Sequence, residues 1–130
     1  MNGDLITDNV RRFLSANIAS VPHLEALLLL AADPVPKRVW TASEVAAGLY
    51  LKENLAHGLL TELCGLDLLS CGPEVAPGFV YAPTTPEIAK VVIAVHAAYR
   101  GQLIEVTRLI HLRSGRKALQ FADAFRWRKE

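Results

Sequence analysis

WTASEVAAGLYLKENLAHGLLTELCG, residues 40–65, is the stretch whose reading decides the fold. It opens on Thr41-Ala42-Ser43-Glu44, the pattern of a capping box. In that device the threonine hydroxyl accepts the amide three residues on, and the glutamate reaches back to the threonine's own amide. The helix so opened carries Val45, Ala46 and Leu49 inward and ends near residues 48–51. A second helix starts at Lys52 or Glu53, with Leu55, Leu59, Leu60 and Leu63 as its expected buried stripe. Gly65 is expected to stop it from a left-handed position.

Working outward toward the N-terminus, Ser20 caps another helix. Pro22 is tolerated there because the first helical turn needs no amide donor. Leu24, Leu27, Leu28 and Ala31 form its inner face, and Leu29 and Leu30 widen it. A helix apolar nearly all round belongs at the centre of a fold. Asp33-Pro34-Val35-Pro36 ends it, and Arg38-Val39-Trp40 follows as a short extended bridge, with Trp40 expected to plug the core. A first helix is expected from Asp4 to Ala19, capped by Asp8 and carrying Val10, Phe13, Leu14 and Ile18. On the other side, residues 66–71 fit a strand, 72–78 a turn-rich loop, and 79–82 the returning strand of a hairpin.

Thr84-Thr85-Pro86-Glu87 begins a long helix, expected to pass through Gly101 and reach Leu112. At 1.5 Å per residue it would span roughly 39 Å. Ile88, Val92, Val95, Tyr99, Leu103, Val106 and Ile110 fall near a 3-4 repeat, which points to a homodimer seam. The competing expectation is that the helix packs across its own domain and the first helix. Ser114-Gly115 breaks it, and residues 117–127 read as a last amphipathic helix with Leu119, Ala122, Phe125 and Trp127 on one side. The resulting plan has an N-terminal helix at 1–19, a central unit at 20–83 and C-terminal dimerising helices at 84–130.

Composition bounds the function. The chain has 130 residues, 52% of them hydrophobic, and a mean hydropathy of +0.25, so it is long and apolar enough for one ordinary domain and excludes pervasive disorder. Two cysteines exclude a disulfide-rich scaffold. The net charge of +1 hides an asymmetry: residues 1–89 hold five Lys/Arg against ten Asp/Glu, and residues 90–130 hold nine against three. Such polarity hints at an acidic partner for the C-terminal part. Arg11-Arg12 lacks the uninterrupted apolar stretch of an export signal, and the apolar run at 24–32 is too short to span a bilayer. The expectation is a cytoplasmic protein that does not use a membrane.

Candidate chemistry is sparse. Cys64, Cys71 and His57 do not have zinc-finger spacing, so the cysteines read as buried free thiols or as a redox disulfide across the hairpin. His96 and His111 are too far apart on one helix to share a metal. There is no Gly-rich phosphate loop, no His-Glu-x-x-His and no Gly-x-Ser-x-Gly. No catalytic residue, metal or cofactor is expected.

The order helix, bridge, helix, tight turn, helix, strand, loop, strand resembles the winged helix-turn-helix domain, as in small bacterial MarR-like and PadR-like regulators. The matching residues are His23–Leu30, Trp40–Ala46, Leu55–Leu63 and Gly65–Leu69, about half the chain. The resemblance implies a mainly α fold with a small β-hairpin wing and a long C-terminal helix. It also implies a non-enzymatic transcriptional regulator that reads double-stranded DNA with its third helix. Arg38, Ser43, Lys52, Asn54, His57 and Thr61 would then face DNA, with Arg113, Arg116 and Lys117 supplying further contacts. Glu53 and Glu62 oppose this, because they set negative charge beside phosphates. The alternative is a winged helix that serves as a protein–protein interaction module without binding DNA.

Overall fold

The chain folds as α1 (Asp8–Asn17), α2 (Val21–Ala31), α3 (Ala42–Leu49), α4 (Glu53–Gly65), β1 (Leu69–Ser70), β2 (Val80–Tyr81) and α5 (Pro86–Gly101), and is helical again at 103–112. These elements come from a computed structural model that describes residues 5–35, 37–75 and 77–112. The protein is mainly helical, with one small antiparallel sheet. The expected last helix at 117–127, the breaker at Ser114-Gly115 and Asp4 lie outside the described residues.

Local hydrogen bonding sets most helix starts. The cap of α1 is Thr7 and not Asp8: the Thr7 hydroxyl accepts the Val10 amide at 3.3 Å. Asp8 sits instead in the first turn, where free amides favour a carboxylate. Ser20 caps α2, and the two helices are bent by 112° across the short break between them. The capping box of α3 closes in both directions: the Thr41 hydroxyl accepts from Glu44 at 3.1 Å, and the Glu44 carboxylate accepts from Thr41 at 2.9 Å. Tyr50 ends α3 in a left-handed conformation (φ 59°, ψ 45°).

In α4 Leu59, Leu60 and Leu63 are buried as expected, but Ala56 and not Leu55 completes the stripe, and Leu55 is 50% exposed. Residues 56, 59, 60 and 63 follow the i, i+3, i+4, i+7 rule, and Leu55, four before Leu59, lies at the edge of that stripe. Gly65 remains helical, and the left-handed residue after it is Asp67 (φ 63°), whose carbonyl accepts the Thr84 hydroxyl at 2.8 Å. The chain turns there because Asp67 is a residue type that tolerates this region.

The strands are shorter than expected. Leu69 pairs with Tyr81 and Ser70 with Val80. Trp40 adds a third, single-residue rung: its amide donates to Phe79 at 2.8 Å and its carbonyl accepts from Phe79 at 2.7 Å. Gly78 permits this approach, because a Cβ there would lie 2.3 Å from Val39 Cγ1 and 2.9 Å from the Trp40 carbonyl oxygen.

The expected unbroken C-terminal helix is interrupted. α5 stops at Gln102 (φ −135°, ψ 55°), and the helix resumes at residue 103. Two contacts accompany the break. The Gln102 side-chain oxygen accepts the Leu5 amide, and the resumed helix buries Val106 and Ile110. The expected dimer seam is therefore corrected. Val92, Val95, Val106 and Ile110 lie in the protomer's own core, Ile88 and Tyr99 pack against that core half-buried, and only Leu103 of the seven is exposed. The stripe has the period of a helix packing on a neighbour; the neighbours of α5 are α1 and α2 of the same chain.

Candidate partner-binding face

α4 turns Lys52, Glu53, Asn54, His57, Gly58, Thr61 and Glu62 to the outside, and Ser43 is exposed on α3. Several of these are already engaged. Asn54 Oδ1 accepts the Leu55 amide at 2.8 Å, and the Thr61 hydroxyl donates to the His57 carbonyl at 2.8 Å. The His57 ring meets Phe79 edge-on at 5.9 Å, which leans it toward the hairpin.

Arg38, expected to face DNA, is engaged within the chain. It donates to Asp33 at 3.0 Å, lies 3.9 Å from Glu44 and stacks on the Trp40 ring at 4.0 Å. Its charge is thus matched by two carboxylates and an aromatic face. Arg113, Arg116 and Lys117 lie outside the described residues. Among the described DNA candidates, Lys52 is the one cation left without an ion pair, and Glu53 stands next to it. Tyr50, at the turn leading to Lys52, is 95% exposed, and Leu55 lies on the same N-terminal part of α4. Trp40 packs against the core as expected, although its indole N–H finds no acceptor among the described residues.

Two further arrangements tie α4 to its neighbours. In the first, His23 is buried near the start of α2 and bridges Ser20 and Glu62. Its Nδ1 lies 2.6 Å from Ser20 Oγ and its Nε2 bonds the Glu62 carboxylate. A ring protonated at Nε2 donates to Glu62 and accepts the serine hydroxyl proton, so both nitrogens are satisfied. Ser20 Oγ also caps α2 by accepting the His23 amide. The chain of bonds pins the start of α2 to the end of α4 beside a cleft of about 380 Å³. Ser-x-x-His at a helix start was visible in the sequence; Glu62, 39 residues later, carried no local signal.

The second arrangement overturns the expectation of free thiols and matches the alternative of a Cys64–Cys71 disulfide. Cys64 and Cys71 form a disulfide, with a Cα–Cα distance of 6.3 Å, that ties the end of α4 to the residue after β1. The turn through Asp67 folds the chain back on itself and brings the two thiols together. Cys71 is exposed.

Titration is altered at two tyrosines. Burial, then the hydrogen bond from its hydroxyl to Glu25 at 3.0 Å and the charge of that carboxylate, pushes Tyr99 up to about 12. Burial raises Tyr81 as well. Among the described residues no three His, Cys, Asp or Glu side chains are grouped to hold a metal, and no single helix is long and apolar enough to cross a membrane. Compared with protein-family models, with curated proteins and with solved structures, the chain matches none.

Proposed function

We propose that residues 20–83 form a winged helix whose α3–α4 face docks a protein partner. The order of elements supports the winged-helix part, as does the single Trp40–Phe79 bridge beside the hairpin. One observation carries the docking part. The exposed N-terminal end of α4 presents Tyr50 and Leu55 beside Glu53, while Arg38 is held by Asp33 and Glu44. DNA readers draw most of their affinity from phosphate neutralisation, with roughly 6–10 phosphate contacts typical of a strong salt response. Protein interfaces instead centre on buried aromatic and apolar anchors. An exposed tyrosine and leucine with one free lysine fit the second chemistry.

Affinity capture with the full chain tests this, comparing Tyr50→Ser with Leu55→Ser and Lys52→Ala. Loss of a captured protein in the first two and its retention in the third is the expected result. Loss with Lys52→Ala alone would overturn it.

The second reading is a DNA-binding regulator. It is favoured by the element order and by the presence of cations at 113, 116 and 117 in the sequence. Self-association, on either reading, would use the outer side of α5, where Ile93 is exposed, with Ile104 beyond the break, in place of the expected seam. The disulfide bears on location: such bonds persist in oxidising compartments and are rare in a reducing cytosol. Cytoplasmic residence would hold the pair as a dithiol for most of the protein's life.

A further inference from the structure

A second cleft opens where the C-terminal helix breaks, away from the α3–α4 residues. Its volume is about 340 Å³, within the range of small-molecule sites. Ile6, Leu109 and Leu112 supply apolar lining, and Arg11, Arg108 and Glu105 supply charge, with Gln102 between them. The cleft lies at the break, with Gln102 in its lining. A continuous helix would carry residues 103–112 onward along the axis of α5. Residues 105–112 lie beside the start of α1, where the Gln102 oxygen holds the Leu5 amide.

Neither the Arg11 nor the Arg108 guanidinium makes an ion pair or hydrogen bond with a described residue. The Glu105 carboxylate makes none either. Two guanidiniums and one carboxylate leave a single positive charge facing the cleft. An arginine fork matches a carboxylate in geometry and binds it through paired N–H bonds. With its oxygen committed to Leu5, Gln102 keeps its amide N–H groups to donate. The apolar lining asks for a hydrocarbon body behind the anion.

We propose that this cleft binds a small organic monocarboxylate, with its carboxylate between Arg11 and Arg108 and its apolar body against Ile6, Leu109 and Leu112. The site is independent of whether α4 meets protein or DNA.

The test is a titration of the full chain, followed by amide NMR shifts, with three probes. Octanoate has the charge and the tail, acetate only the charge, and octanamide only the tail. Saturable shifts confined to residues 5–11 and 102–112 are expected for octanoate, with acetate and octanamide at least tenfold weaker. The Arg11→Gln/Arg108→Gln double variant should bind octanoate at least tenfold more weakly at an unchanged melting temperature, since both side chains are exposed. Leu112→Ser, also at an exposed position, should weaken octanoate and leave acetate unchanged. If the double variant fails to fold, Leu112→Ser decides on its own. Absence of saturable octanoate shifts, equal binding of acetate, or full octanoate affinity in the arginine variant would overturn the proposal.

Discussion

The central unit from α2 to β2 and the C-terminal arm from α5 to residue 112 are built from similar apolar periodicities, yet their folding rules differ. In the central unit each element begins or ends on a bond between near neighbours: Ser20 with His23, Thr41 with Glu44, Leu63 with Leu66 and Leu68. In the arm the decisive event is the interruption at Gln102, whose side chain bonds a residue 97 positions away. The contrast teaches that helix starts are local in sequence, whereas an interruption inside a helix is accompanied by contacts made far away along the chain. Val106 and Ile110, beyond the break, are buried within the protomer.

The sharpest way to break this comparison is Ile110→Ala. Removing a fully buried side chain from the arm should cost about 2–5 kcal/mol, and denaturant midpoints should not move with protein concentration. A concentration-dependent midpoint would return the stripe to an intersubunit seam.

Next in size is the disulfide of the central unit. Reducing Cys64–Cys71, or replacing both by alanine, should destabilise the protein by about 2–3 kcal/mol, the figure for a loop this short. Unfolding curves with and without a dithiol reductant measure it, and identical curves would show that the α4–β1 turn holds without the bond.

A smaller effect is expected at Thr41→Ala, which opens the capping box of α3 and should cost about 1 kcal/mol. Thermal denaturation read against Asp8→Ala, which removes a first-turn charge and no cap, separates the two roles.

The smallest is a pH effect linking the two regions through Tyr99 on α5 and Glu25 on α2. Tyr99 is raised from 10.0 to about 12 in the folded state, so its contribution is whole below pH 10 and is lost as pH rises through about 12. Tyr99→Phe should flatten that alkaline loss and leave the acid side unchanged in pH-dependent denaturation.

The sequence made the central unit readable because Thr41-x-x-Glu44, the proline stop after α2 and the hairpin turn signals all act within a few residues. Leu55 was misplaced by one position on α4, since a leucine-rich helix offers two adjacent apolar stripes and only packing chooses between them. Gly65 was given the left-handed turn that Asp67 takes, because the hydrogen bonds closing that turn, from residues 66–68 back to the end of α4, are not written in residue type. The candidate face was legible as a set of exposed positions, but the state of its charges was not. That Arg38 is held by Asp33 and Glu44 depends on how the segment after α2 folds against α3. His23 and Glu62 meet only once α2 and α4 are packed.

The measurement that bears most directly on the account is fluorescence anisotropy of the full chain against a mixed-sequence DNA duplex near physiological salt, with Lys52→Ala and Asn54→Ala in parallel. A protein-docking face predicts affinity weaker than about 10⁻⁴ M, the weak end of non-specific DNA binding, and no change in either variant. Salt-sensitive binding at about 10⁻⁶ M or tighter, lost in Lys52→Ala and Asn54→Ala, would contradict it and make α4 a DNA-reading helix.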